Sequence, residues 1–217
     1  FEVNGVKFKM MPVEGGTFYM GGSHPEAASN EKPAHKVMLS DFYIGETEVT
    51  QALYAAVIGA RSDWTDTYGL GDKFPAYNVT PNDSNAFITK LNYLTGKQFR
   101  TLLEIEWEYA AKEGNKAVGY TYSGGSSIDN LCWYKSNSSS TSHPVAGKAP
   151  NALGLYDMSG NLWEYCWGYY YYSDKSNWRW MQRGGSWNSE YYECNVWRRD
   201  TAYDNYRYNN CGFRIGM

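Results

Sequence analysis

Apolar and polar positions divide the chain into a patterned first half and an irregular second half. Alternation with period two, the mark of a strand, runs through Val6-Lys7-Phe8-Lys9-Met10; Gly15-Gly16 interrupts it, and Thr17–Met20 resumes as a second short strand. Residues 21–36 are polar and rich in Gly, Pro and Ala, which predicts a surface loop. Val37–Ile44 partly alternates again through Val37, Leu39 and Phe42. Three helices are predicted next. Thr47–Ile58 opens on a polar cap and sets Val49, Leu53, Ala56 and Val57 on one stripe. Pro81-Asn82-Asp83-Ser84 leads into Ala86–Leu94, closed by Gly96. Thr101 and Glu104 have capping-box spacing for Leu102–Lys112, which Gly114 stops.

Beyond Gly119 the helical period disappears, and Gly, Ser, Asn, Trp and Tyr follow in short runs. Brief strands are predicted near Val145 and over Trp163–Trp167, Met181–Trp187 and Phe213–Met217. Three helices in a loop-rich, weakly stranded chain indicate an α+β fold rather than a βαβ repeat. No repeat of solenoid or propeller period is present. The Ser136–Ser142 run is too short for a linker, so residues 1–217 are expected to form a single domain.

Composition narrows the function. With 42% apolar residues the chain can build a core, and a net charge of −3 gives no electrostatic reason to expect nucleic acid. No apolar run approaches eighteen residues, so no transmembrane segment is expected. The chain opens on Phe1 rather than Met, which is compatible with an upstream signal or lipid-anchor segment. Aromatics reach 18% beside 22 Gly, the composition of irregular segments pinned by large side chains. Cys132, Cys166, Cys194 and Cys211 contain no C-x-x-C pair, which argues against a metal site using all four. Three disulfide pairings are open to them, and buried free thiols are the favoured alternative.

The closing segment carries the most information. From Asn188 to Asn210, ten of twenty-three residues are Asn or Tyr, lying between Arg183-Gly184-Gly185-Ser186-Trp187 and Gly212-Phe213-Arg214-Ile215. Tyr offers a large amphipathic contact area at low entropic cost, and Asn offers adaptable hydrogen bonds. A catalytic segment would be expected to carry acids, bases or nucleophiles instead. The segment therefore reads as a recognition surface between two fixed points; the alternative is a set of loop tyrosines packed on the domain, since Tyr169–Tyr172 are tyrosine-rich too. Trp187, Trp197 and Phe213 are expected in the core.

Ordered motifs connect these observations to a family. Met11-Pro12-Val13-Glu14-Gly15-Gly16-Thr17-Phe18, Pro33-Ala34-His35, Glu46-Thr47-Glu48-Val49-Thr50, Glu106-Trp107-Glu108-Tyr109-Ala110-Ala111, Gly154–Glu164 and the two closing anchors occur in sequence. Together they resemble the formylglycine-generating-enzyme or sulfatase-modifying-factor domain, a variant of the C-type lectin fold. Enzymes of that family bind copper through two cysteines, two and seven positions after the aromatic residue that ends the Gly-Gly-Ser-aromatic motif. The equivalent positions are Ser189 and Cys194. Cu(I) prefers thiolates and a hydroxyl is a poor substitute, so no copper and no enzymatic activity are expected. A related iron-dependent branch uses clustered histidines, whereas His24, His35 and His143 lack metal-ligand spacing and read as solvated loop residues.

A second resemblance is to the variable proteins that diversity-generating retroelements mutate at template adenines. From an AAC codon, adenine changes reach Asn188, Ser189, Tyr191, Tyr192, Asn195, Asp200, Thr201, Ala202, Tyr203, Asp204, Asn205, Tyr206, Tyr208, Asn209 and Asn210. Cys194, Arg199 and Arg207 read as fixed scaffold, and Glu190, Glu193 and Trp197 are not reachable from AAC. The resemblance also implies a structural calcium site using the side chains of Asp157 and Glu164 with the carbonyls of Gly160 and Leu162; the alternative is an ion-free turn. The expectation is a non-catalytic protein at the cell surface or secreted, binding an unknown protein or cell-surface ligand through residues 188–210. A copper-dependent oxidase and an invariant adhesion or structural module are the rivals.

Overall fold

The computed structural model describes residues 1–22, 27–169 and 178–217. The alternating N-terminal region forms β1 (Glu2–Val3), β2 (Val6–Lys7), β3 (Met10–Val13) and β4 (Gly16–Met20). The stretch expected to alternate through Ile44 divides into β5 (His35–Leu39) and β6 (Phe42–Gly45). Asp41 lies at the break, where its Oδ1 accepts from Gly15 N at 2.8 Å.

The three predicted helices are α1 (Gln51–Val57), α2 (Pro81–Thr95) and α3 (Glu104–Ala111). Thr50 caps α1 by accepting from Leu53 N at 3.2 Å, so this helix starts later than its polar lead-in suggested. Thr80 and Asp83 form a reciprocal capping box on α2, and Gly96 ends it with φ of 65°. The box expected from Thr101 and Glu104 is displaced. Leu103 is the N-cap, and Glu106 Oε2 accepts from Leu103 N at 2.9 Å. Glu104 is spent elsewhere, on two arginines of the C-terminal half.

Between α2 and α3 lies β7 (Arg100–Thr101), and the C-terminal half supplies β8 (Trp163–Tyr169), β9 (Trp178–Arg183), β10 (Arg199–Thr201), β11 (Cys211–Phe213) and β12 (Ile215–Gly216). No strand forms at Val145, whose N–H donates to Lys73 O at 2.9 Å within turns. β9 ends at Arg183 rather than continuing to Trp187, because Gly184 and Gly185 take φ of 94° and 74°.

Two four-stranded sheets organise the molecule, in the orders β3-β6-β12-β7 and β10-β9-β8-β11; β1–β2 and β4–β5 form two-stranded ribbons. The last strand, β12, inserts between β6 and β7, and β11 runs parallel to β8. One core joins α1 and α2 to the second sheet, with Tyr54 stacked on Phe87 at 5.6 Å and Phe87 edge-on to Phe213 at 5.3 Å. A second core seats Trp107, Tyr109 and Ala110 of α3 against Val13, Ile44, Leu155, Met158 and Cys166. Full burial of an aliphatic or Phe side chain contributes roughly 1.5–3 kcal/mol, so these cores fix the frame on which the C-terminal loops rest. Among the described residues, no helix is long and apolar enough to cross a membrane.

Candidate functional site

Both ends of the Asn/Tyr segment are fastened to one short stretch, Tyr156–Glu164, which runs from turns into the start of β8. At the leading end Trp187 N donates to Asn161 O at 2.8 Å, and Gly160 N donates to Gly184 O at 2.8 Å. Asn161 is buried with φ of 65°; its Nδ2 donates to Glu48 Oε2 at 2.7 Å, and its Oδ1 accepts from His143 N at 2.9 Å. At the trailing end Arg214 is buried and grips Glu164 through Nε and Nη2 at 2.6–3.0 Å. Its remaining donors go to the carbonyls of Gly45, Glu46 and Tyr156. The expected core roles hold: Trp187 and Phe213 are buried, and half-buried Trp197 packs on the second core.

Strand alternation decides which residues underlie the segment. β8 and β9 place Tyr165 opposite Gln182 and Trp167 opposite Trp180, and Asp200 of β10 lies opposite Gln182. Cys211 of β11 lies opposite Trp163. These side chains share one face of the sheet, while Glu164, Cys166, Met181 and Arg183 occupy the face toward α3.

Two adjoining clefts open on the first face. One, of about 490 Å³, lies between Trp167 and Trp180 on one side and Ala202, Tyr203, Asp204, Asn205 and Tyr206 on the other. The second, of about 360 Å³, is bounded by Trp163, Gln182, Asp200, Thr201, Tyr203, Tyr208 and Asn210. Tyr203 belongs to both. Its ring lies 6.2 Å from Tyr206, which stacks on Tyr208 at 5.6 Å. Tyr203 and Tyr206 are 67% and 63% exposed, far above what a packing role needs. Asn210 Nδ2 donates to Asn188 Oδ1 at 2.8 Å, which also accepts from Ser186 Oγ, and this amide pair closes the rim.

The structure sorts the expected site residues. Asn188, Asp200, Thr201, Tyr203, Asp204, Asn205, Tyr206, Tyr208, Asn209 and Asn210 are exposed or half-buried, and the clefts and the amide pair join all of them except Asn209, whose carbonyl accepts from the Trp187 indole. Tyr191 and Tyr192 are exposed on a separate 3-10 turn, edge-on to each other at 5.4 Å. Ser189, Asn195 and Ala202 are buried. Ser189 Oγ lies 3.2 Å from Ser186 Oγ, and Asn195 Oδ1 has no hydrogen-bond partner among the described residues.

The residues between them have structural roles. Arg199 binds Glu104 at 2.5 Å, and Arg207 pairs with Asp83 at the start of α2. Glu193 Oε2 accepts from Glu190 N, and Glu190 pairs with Lys135. Sequence reading missed Trp163, Trp167, Trp180 and Gln182 as the cleft floor. The signal was the odd-numbered aromatic alternation of 163–167, which shows which side faces out only once β9 is placed in register.

The positions offered to calcium are differently employed. Both Glu164 oxygens accept from Arg214, and Oε2 also accepts from Trp107 Nε1 at 2.7 Å. Asp157 Oδ2 accepts from Ala146 N at 2.8 Å; burial pushes its carboxyl up to about 6, partly countered by that bond and by Arg214. Glu48, buried and beside Asp157 and Glu164, is pushed well up. Among the described residues, no three metal-ligating side chains converge. As arranged, Glu164 has no oxygen left for an ion, so the donor set does not fit calcium. Of the histidines, His24 and most of the Tyr169–Tyr172 run lie outside the described residues; His35 is exposed. His143 is not a solvated loop residue: it stacks on Trp133 at 3.7 Å, its ring nitrogen 2.8 Å from Ser138 O.

Comparison with known proteins bears on the fold. The sulfatase-modifying factor enzyme 1-like domain matches residues 4–216. The fold superposes on variable protein 1 of Treponema denticola with a TM-score of 0.88 at 29% identity, covering 100% of this chain and 97% of that one. The chaperone protein LppX of Paenibacillus barcinonensis is 28% identical, over 82% of this chain and 78% of its own length. The formylglycine-generating enzyme of Streptomyces coelicolor is 27% identical, over 71% of this chain and 67% of its own.

Proposed function

The chain belongs to the sulfatase-modifying factor enzyme 1-like domain family, and within it we propose a non-catalytic ligand-binding protein whose C-terminal surface is diversified between fixed anchors. The observation that carries this reading is the exposure of Tyr203 and Tyr206 over two clefts whose walls are residues of the 188–210 segment. Packing alone would bury such rings. A few aromatic anchors in preformed clefts dominate many protein interfaces, and flanking amides supply adaptable hydrogen bonds. Likeness to a variable protein over the whole fold supports the same reading.

The partner is a macromolecule, a protein or another cell-surface ligand, met by a secreted or surface-displayed chain. Substitutions at the cleft walls would change specificity while Trp187, Arg199, Arg207 and Arg214 keep the frame. The oxidase alternative needs two thiolates, and Ser189 supplies a buried hydroxyl at one of those positions.

Sequencing the 3′ end of the gene across a population of source cells tests the proposal. Adenine-derived substitutions confined to codons between Trp187 and Gly212 are expected. A uniform segment would leave a fixed binding module instead.

A further inference from the structure

We propose that Cys132 and Cys194 form a disulfide that ties the 3-10 turn carrying Tyr191 and Tyr192 to the loop at Trp133. Both sulfurs belong to one small buried cluster with Tyr122 and Leu131. Burial, and after it the neighbouring Cys194 thiol, push the Cys132 thiol well above its ordinary value.

The backbone around the pair is cleared for sulfur. A Cβ on Gly160 would lie 2.3 Å from Cys132 Sγ, and one on Gly185 would lie 2.7 Å from Cys194 Sγ. Both glycines have positive φ, at 81° and 74°. Each side chain thus packs where only a glycine leaves room.

The other two cysteines cannot substitute. Cys211 lies opposite Trp163 and donates to Gln182 Oε1 at 3.4 Å on the cleft face of the sheet. Cys166 points to the α3 face, with its Sγ 3.6 Å from Glu164 O. A sheet separates them from each other. Of the three ways to pair four cysteines, two would join Cys132 and Cys194 to Cys166 and Cys211, neither of which is in their cluster; the third keeps Cys132 with Cys194, and there the sheet leaves Cys166 and Cys211 as free thiols.

The reaction is thiol–disulfide exchange with a low-molecular-weight disulfide, as in an oxidising compartment. Two S–H bonds break and one S–S bond forms. The two electrons reduce the oxidant's S–S bond, and the two protons complete its pair of thiols. A raised thiol pKa and burial slow exchange in the folded chain, so the bond forms during folding.

The test is refolding of the full chain in a glutathione redox buffer, followed by alkylation under denaturing conditions and peptide mapping without reductant. A single link between the Cys132 and Cys194 peptides is expected, with Cys166 and Cys211 alkylated. Reduction should lower the melting temperature by on the order of ten degrees. Cys194→Ser should remove the link, and Cys211→Ser should leave it. Four alkylated cysteines, a link to Cys166 or Cys211, or a melting temperature indifferent to reductant would each overturn the proposal.

Discussion

Arg214 closes on both carboxylate oxygens of Glu164 at 2.6–3.0 Å, with neither side chain reachable by water. The pair lies where the segment's trailing anchor meets the turn that also holds Trp187. Removing one member strands the other as an uncompensated buried charge, which costs roughly 3–5 kcal/mol. Arg214→Ala should therefore lose about that much stability in urea unfolding. Arg214→Lys should recover less than half of it, because an ammonium cannot reproduce the planar fork or reach Gly45 O, Glu46 O and Tyr156 O together. Equal stability of the lysine variant and the parent would show that charge alone suffices.

Calcium provides a direct check on the same turn. Because Arg214 and Trp107 occupy Glu164, adding millimolar calcium or a chelator should leave the melting temperature unchanged. A calcium-dependent rise would restore the metal site at Asp157, Gly160, Leu162 and Glu164. It would also require Arg214 to move.

Acid stability should depend on Glu108. Burial pushes its carboxyl up, but Arg183, Lys112 and the Gly21 N–H more than offset this and leave it below its ordinary value. Folding therefore favours the ionised form. The resulting stabilisation is present above the unfolded pKa of about 4.3 and is lost as pH falls through the folded value. Glu108→Gln should flatten the acid limb of a stability–pH curve, at the cost of a weaker Arg183. An unchanged limb would reassign it to the other depressed carboxylate, Asp83.

Surface tyrosines should be separable from stability. Tyr203→Ala and Tyr206→Ala remove exposed rings and should shift unfolding by about 0.5 kcal/mol or less. For a ligand selected against the parent surface, each should weaken binding by ~2 kcal/mol or more if it is a hot spot. Titration calorimetry on both variants would reveal the split. A large stability loss would mean the rings are structural after all.

Legibility in the sequence followed the range of the forces involved. α1, α2 and the Gly96 terminus were readable because caps and stripes are local. The start of α3 was misplaced because Glu104 is recruited by Arg183 and Arg199, both far along the chain, which no local pattern encodes. The recognition segment was visible as Asn and Tyr between Gly-rich anchors. Its division into an outer cleft set, a separate Tyr191–Tyr192 patch and buried Ser189, Asn195 and Ala202 was not, since codon reachability says nothing about burial. The tryptophan floor required strand register, which depends on how β9 pairs with β8 rather than on composition.

Because Asn161 and Glu164, only three positions apart where the turn enters β8, hold the two ends of the segment, its span is set before any residue within it is chosen. Evolution can rewrite letters there, but not easily their number. An inserted or deleted residue would have to be absorbed by Arg199 and Arg207, which moor the middle of the loop to α3 and α2. A lineage of such chains should therefore differ by substitution at constant loop length, each member a new surface on an unchanged chassis.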